Sequence, residues 1–313
     1  MKLVYAGSPA FSLPPFERIL AEGHEVLAVL TRPDKPFGRK GVLTPTPLKA
    51  LARERGIPVL DFPKVRDHAE ELAALGADAM ITCAYGQILT QPVLDAFLLG
   101  VFNIHASLLP RWRGASPIQH AILAGDKETG VTIMKTDIGL DTGDVLLSRT
   151  VPLSGTETAG ELSEALAREG AEAIAQAIPL IAAGGLLGMV RVLSPQEGEP
   201  TLCKKIEKGQ CLLDFSRPAE ELSRLVRAMS PQPLAYSFLR GAAVNFYYAL
   251  PEEGEAAPGH IVRADKTGIC IGTGSGILRV LELQAAGGKR MKAADFVNGR
   301  KAAVGDVFGK EPQ

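Results

Sequence analysis

Asn103 and His105 stand two apart in the run VFNIH, and three carboxylates, Asp137, Asp141 and Asp144, follow in MKTDIGLDTGD. Residues two apart on a strand share a face, so an amide and an imidazole there would project together. Donors of this kind stabilise the negative charge that builds on a carbonyl oxygen when a nucleophile attacks. Losing one such donor costs about 3–4 kcal/mol. A carboxylate nearby favours the protonated imidazole and can also accept the proton an attacking amine must lose, directly or through a water. The set suits acyl transfer to an amine. Of the three carboxylates, Asp141 sits between Leu140 and Thr142 in a Gly-flanked loop, where it can reach back toward His105. Each residue alone is ordinary. Strand histidines are mostly structural, an Asn at a strand end often satisfies backbone, and an Asp in such a loop is usually a turn residue.

The elements that would position these groups read as alternating strands and helices. Residues 2–6, 25–30, 59–60, 78–82 and 100–105 have strand character. Helical spacing falls at 11–22, 47–55, 64–75 and 91–97, with Pro47 suited to a first helical turn. That alternation predicts a Rossmann-like, mostly parallel sheet with helices on both faces, in which strand carboxyl ends open into the ligand crevice. The first strand-to-helix turn is AGSPAF and lacks the G-x-G-x-x-G glycines, so no bound dinucleotide is expected. Beyond His105 the pattern predicts a helix at 116–124, β-like runs at 131–135 and 144–151, and an Ala-rich helix at 159–182.

Residues 184–202, with glycines at 184, 185, 188 and 198 and prolines at 195 and 200, read as a linker. A helix at 218–229 and short strands at 243–249, 259–263, 268–272 and 277–283 then suggest a small C-terminal β-barrel of the oligonucleotide-binding (OB-like) type. The expected organisation is a catalytic domain at 1–183, the linker at 184–202 and a barrel domain at 203–313.

Composition fits that plan. Hydrophobic residues make up 46% of the 313 residues and charged residues 22%, enough apolar material for two cores. No apolar run reaches the roughly 18 residues of a membrane helix, and MKLVYAGS is broken too soon to read as a signal peptide, so a cytoplasmic protein with no membrane contact is expected. Cys83, Cys203, Cys211 and Cys270 are scattered without metal-ligand spacing and read as reduced thiols. Net charge is −1, yet residues 201–313 carry 16 Lys/Arg against 12 Asp/Glu, an asymmetry a phosphate backbone would favour.

The stretch NIHASLLPRWRGASPIQHAI, followed by ETGVTIMKTDIGLDTGD, resembles the signature region of the methionyl-tRNA formyltransferases, within the wider family of formyltetrahydrofolate-dependent transferases. The resemblance is close over 1–183 and looser beyond, where Thr201-Leu202-Cys203 and Gln232 depart from the usual pattern. It implies that Asn103 and His105 polarise a formyl carbonyl and that Asp141 positions and tunes His105 and assists proton removal. It implies folate contacts at Ser107, Leu108, Leu109 and Pro110 and at the loop holding Tyr85, Gly86, Ile88 and Leu89. It also implies that the loop TRPDKPFGRKGVLTPT meets tRNA, with Arg39 at the acceptor stem and Arg32, Lys35 and Lys40 as further basic contacts. The implied donor is 10-formyltetrahydrofolate without a metal, the acceptor is initiator methionyl-tRNA, and the protein is expected to act as a monomer. Formyltransferases acting on glycinamide ribonucleotide or an amino sugar nucleotide share the Asn, His and Asp, as does a hydrolase releasing formate. The basic loop and the C-terminal domain speak for the tRNA acceptor, and the intact triad speaks against a non-catalytic tRNA- or folate-binding protein.

Overall fold

The computed structural model describes residues 1–37 and 41–309, with the side chains of 37 and 185–191 excepted. The chain forms two compact units. One comprises Met1–Ala115, Thr129–Val151 and Ser163–Cys203; the other comprises Ser116–Glu128, Pro152–Leu162 and Lys204–Gln313.

The first unit begins with β1 (Lys2–Gly7), α1 (Leu13–Ala21), β2 (Glu25–Leu30), β3 (Lys35–Phe37), β4 (Val42–Thr44), α2 (Pro47–Glu54) and β5 (Val59–Leu60). It continues through α3 (Ala69–Ala74), β6 (Ala79–Cys83), α4 (Gln91–Leu94), β7 (Val101–His105) and β8 (Arg113–Gly114). Helix α5 (Pro117–Ala124) belongs to the second unit. Then β9 (Glu128–Lys135), β10 (Val145–Pro152), α6 (Ala159–Val192) and β11 (Leu202–Cys203) lie largely in the first.

The main sheet runs β10-β9-β7-β6-β1-β2-β5. Strands β5, β2, β1, β6 and β7 are parallel. Their apolar runs are covered on both faces, so every residue of β6 and residues 3–7 of β1 are buried. The chain winds outward from β1 to β5, then crosses back to β6, which places a topological switch point between β1 and β6. Strand β9 joins β7 antiparallel. Helix α6 backs β7: a Cβ built on Gly170 would come within 3.1 Å of Ile104. Strand alternation puts Ile104 on the face opposite Asn103 and His105.

Two expectations change. The segment 31–46 is not wholly loop, because β3 and β4 form an antiparallel hairpin within it. Helix α6 does not stop at 182 but continues through Gly184, Gly185 and Gly188 to Val192. A helical glycine costs only about 1 kcal/mol against alanine. The buried stripe of Leu166, Ile174, Ile178 and Ile181 anchors the helix, and Pro195 lies just past its end.

In the second unit, α7 (Ala219–Ala228) precedes β12 (Ala235–Leu239), β13 (Ala242–Glu252), β14 (Ile261–Asp265), β15 (Gly268–Gly272), β16 (Ile277–Ala285), β17 (Met291–Lys292), α8 (Ala293–Asn298) and β18 (Phe308–Gly309). The sheet order is β14-β15-β16-β13-β12-β18, with β17 on β16. A bridge between His260 and Val307 joins its two ends, with Ile261 N–H donating to Asp306 O at 2.8 Å and Phe308 N–H to Gly259 O at 2.9 Å. The two ends of the sheet thus meet at one bridge, which curls it into a small, partly closed barrel. Phe246 and Phe308 pack in its core with ring centroids 5.4 Å apart. The sequence pattern missed β12, α8 and β18, which are short or interrupted by Gly and polar residues.

Candidate active site

Strand β7 carries Asn103 and His105 on one face, as the spacing predicts. Thr82, next door on β6, donates its hydroxyl to Asn103 Oδ1 at 2.9 Å. That bond orients the amide and turns its NH2 group away from Thr82. His105 is 5% exposed. Its Nε2–H donates to the main-chain carbonyl of Trp112 at 3.0 Å, and its Nδ1 lies 3.7 Å from Asp141 Oδ2. The ring thus lies between the Trp112 carbonyl on one side and the Asp141 carboxylate on the other.

Asp141 arrives by an indirect route. Because β9 is antiparallel to β7, the 136–144 loop departs beside Val101, with Thr136 N–H on Val101 O at 2.7 Å, and must fold back along β7. It closes with Lys135 N–H on Asp144 O at 2.8 Å. At the turn Asp141 adopts a φ of 51°, a left-handed conformation that non-glycine residues seldom hold. Its carboxylate accepts a hydrogen bond from Gly114 N–H at 2.8 Å. Of the other two candidate carboxylates, Asp137 is spent locally on Gly139 N–H at 3.0 Å and the Thr142 hydroxyl at 2.7 Å.

The segment 110–115 forms the facing wall, and Trp112 itself has φ of 62°. It is held by residues the sequence assigned to a linker and, at Cys203, to the start of the barrel domain. Strand β8 pairs with β11 in parallel, Trp112 N–H donates to Thr201 Oγ1 at 2.8 Å, and the Cys203 thiol lies 3.2 Å from Trp112 O. Gln196 donates from Nε2 to Asp141 O and Gly143 O, both at 2.8 Å, and accepts from Arg113 Nε at 2.9 Å and Nη2 at 2.7 Å. Sequence reasoning missed Gln196, Thr201 and the main-chain groups of Trp112 and Gly114. A glutamine between Pro195 and Gly198 gives no periodic or compositional signal.

The expected folate residues divide. Ile88 is 86% exposed beside the switch point, in the loop after β6. Leu89 is half-buried against the β-sheet core, Tyr85 is part of that core, and burial pushes the Tyr85 phenol up. Gln87 fastens the loop by accepting from Val65 N–H at 2.8 Å and donating to Phe62 O at 2.8 Å. Gly86 holds φ of 78°. Ser107 is fully buried, with its hydroxyl on Arg111 O at 2.5 Å, and Leu109-Pro110 is a cis peptide, so Leu108, Leu109 and Pro110 form a turn pinned to Thr132, which receives Leu109 N–H at 3.2 Å.

Of the basic loop, Arg39 and Lys40 lie outside the described residues. Lys35 is exposed on β3. Arg32 lies closer to the folate loop than expected, with its guanidinium 3.6 Å from where a Cβ on Gly86 would be. The loop base is anchored by Lys49 of α2, 3% exposed, whose Nζ donates to Asp34 Oδ1 and Asp61 Oδ2, each at 2.6 Å. Burial alone would lower the Lys49 ammonium, but the two carboxylates outweigh it and raise it. The hydrogen bond from Lys49 holds Asp61 below its ordinary 3.8. A carboxyl depressed by folding adds stability that is present above its unfolded value and is lost as pH falls through the folded one. Melting curves taken downward from about pH 4 should therefore show a steeper loss of stability in the wild type than in Lys49→Met. Equal slopes would mean that this pair does not contribute.

Among the described residues no helix is long and apolar enough to cross a membrane, and no group of three His, Cys, Asp or Glu is placed to hold a metal ion.

Comparison with known proteins identifies the family. The family model described as formyl transferase matches residues 2–178, and that of the formyl transferase C-terminal domain matches 205–301. A methionyl-tRNA formyltransferase of Ectopseudomonas mendocina (strain ymp) is 46% identical over 99% of this chain and 99% of its own length. One from Chromobacterium violaceum is 45% identical over 99% of this chain and 100% of its own. Among solved structures, HypX from Aquifex aeolicus in complex with tetrahydrofolic acid aligns with a TM-score of 0.68 at 20% identity, over 97% of this chain and 48% of that one. Methionyl-tRNA formyltransferase from Clostridium thermocellum aligns with a TM-score of 0.53 at 18% identity, over 82% and 96%. Those two structures speak for the fold; the full-length identity to curated relatives speaks for more. The chain belongs to the formyl transferase family, among the methionyl-tRNA formyltransferases.

Proposed function

We propose that this chain transfers the formyl group of 10-formyltetrahydrofolate to the amino group of methionyl initiator tRNA through Asn103, His105 and Asp141. The neutral amine attacks the formyl carbon. The Asn103 amide and the His105 Nε2–H donate to the oxygen as it becomes negative, and the formyl oxygen takes the place of Trp112 O at that N–H. Asp141 holds His105 and accepts the amine proton, directly or through a water. As the oxyanion collapses, the bond from the formyl carbon to N10 breaks, N10 takes up the proton from Asp141, directly or through a water, and tetrahydrofolate leaves; the route uses no metal. The observation that carries this reading is the approach of Asp141 to His105 at 3.7 Å beside an amide fixed by Thr82.

The folate ring lies against exposed Ile88 with Leu89, Leu108, Leu109 and Pro110 as apolar walls, while Tyr85, Gly86 and Ser107 shape the two loops from behind. Lys35, Arg39 and Lys40 meet the acceptor stem, and Arg32 meets ligand near Gly86. Residues 1–183 supply the reacting groups, and the barrel at 203–313 lies along the tRNA backbone. The protein acts as a monomer in the cytoplasm. Four cysteines outside any disulfide support the second point.

The test is formyl transfer from 10-formyltetrahydrofolate to methionyl initiator tRNA, with glycinamide ribonucleotide as the competing acceptor. Turnover with the tRNA and none with the small acceptor is expected. Turnover with glycinamide ribonucleotide alone would overturn the acceptor assignment, and folate binding without turnover on either would overturn the mechanism.

A further inference from the structure

We infer that Gln196 is a positioning residue for formyl transfer, acting through Asp141. This inference rests on the catalytic reading of Asn103, His105 and Asp141 given above. The distance that matters, from His105 Nδ1 to Asp141 Oδ2, depends on how two separate segments are placed. One is the loop 136–144, which carries Asp141. The other is the strand at 113–114, whose Gly114 N–H holds the Asp141 carboxylate.

Gln196 joins the two segments. Its NH2 group has two hydrogens, and they go to Asp141 O and Gly143 O. Its carbonyl oxygen receives the forked donors of Arg113, which fit such an acceptor in their own plane. Both hydrogens and both acceptor sites of the amide are thus engaged, on one segment or the other. Asp141 needs such a hold, because its left-handed backbone persists only when its surroundings over-determine it. A glutamate at 196 would keep the Arg113 partner and strengthen it with charge. It would also set a carboxylate against two carbonyl oxygens and release the loop. The functional requirement is therefore for an amide, not merely for a polar side chain of that length.

The experiment uses the full chain and compares Gln196→Glu, Gln196→Met and Asp141→Asn with the wild type, and Gln196→Glu with Gln196→Glu/Asp141→Asn. Gln196→Met keeps the volume and removes both kinds of contact, so it serves if the glutamate variant folds poorly. Melting temperature is read beside kcat, the KM for each substrate and the pH profile of kcat/KM. The expected result is a fall in kcat of about 100-fold, the scale of a 1 Å misplacement of a catalytic group, in both Gln196 variants. KM should stay within about twofold, and the pH profile should move as it does in Asp141→Asn. In the Asp141→Asn background, Gln196→Glu should add little, because both act on one group.

If Asp141→Asn collapses while Gln196→Glu and Gln196→Met keep wild-type kcat, this inference falls and the catalytic reading stands. If Gln196→Glu costs the same factor with or without Asp141, Gln196 acts elsewhere and the inference also falls. If Asp141→Asn itself turns over normally, the catalytic reading falls and takes this inference with it.

Discussion

Replacing His105 by alanine lowers kcat/KM for formyl transfer by about 1000-fold, with little change in the affinity for folate. The magnitude follows from what leaves with the ring. The oxyanion loses its donor at Nε2, and a single donor of that kind is worth about 100- to 1000-fold. Asp141 loses the group it is held against, so the proton path loses its geometry as well, a contribution of about 100-fold or more when it acts alone. The two losses share one side chain and do not multiply fully. The fold should survive, because the strand is held by Ile104 against α6 on its other face and by ladders to β6 and β9. Steady-state transfer to methionyl initiator tRNA, run beside a folate-binding titration, makes the measurement. A loss under tenfold would remove His105 from the chemistry.

The second large effect is expected at Gly114. Its φ of 121° lies where side chains are rarely tolerated, and an added Cβ would be driven into the carbonyl oxygen of Cys203 on the paired strand. Backbone strain of this kind costs about 1–3 kcal/mol, and an overpacked contact adds about 1–3 more. At about 2–4 °C per kcal/mol for a unit of this size, Gly114→Ala should melt roughly 10 °C below the wild type. Activity should fall in the surviving folded protein too, since the Gly114 N–H can no longer hold the Asp141 carboxylate where it was. Gly23→Ala is the natural comparison. There φ is 78° and nothing lies within 4 Å of an added Cβ, so strain acts without collision. A Gly114→Ala variant no less stable than Gly23→Ala would mean that β8 and β11 part easily, against the packing described above.

The amino-acid pattern made the catalytic face legible because a two-residue period on a strand is a local property. Asn103 and His105 could be set side by side from their spacing alone. The alternation of apolar runs and helical segments gave the sheet for the same reason. What stayed hidden was non-local. Nothing near Asp141 announces that its loop leaves from the far end of β7 and folds back. Nothing near Trp112 shows that its carbonyl meets an imidazole. Gln196 and Thr201 looked like linker because glycine and proline surround them, yet their partners lie far away along the chain at 112–113 and 141–143. Both also fall between the segments matched by the two family models, 2–178 and 205–301. Ser107 and Tyr85, which the resemblance implies as folate contacts, have their side chains engaged within the protein, one hydroxyl on Arg111 O and one ring in the core. Arg39 and Lys40 lie outside the described residues and stand on resemblance alone.

The parallel pairing of β8 with β11 has a consequence for the order in which the protein becomes competent during synthesis. The ribosome delivers Asn103, His105 and Asp141 first, but the clamp that seats Asp141 and the strand that holds Trp112 are made only when the chain has reached Cys203. A nascent chain halted after Ala183 would present all three reacting groups on a nearly finished sheet and still lack their final alignment. On the proposed roles, the seating of Asp141 therefore depends on a short, late-emerging segment that carries none of the reacting groups.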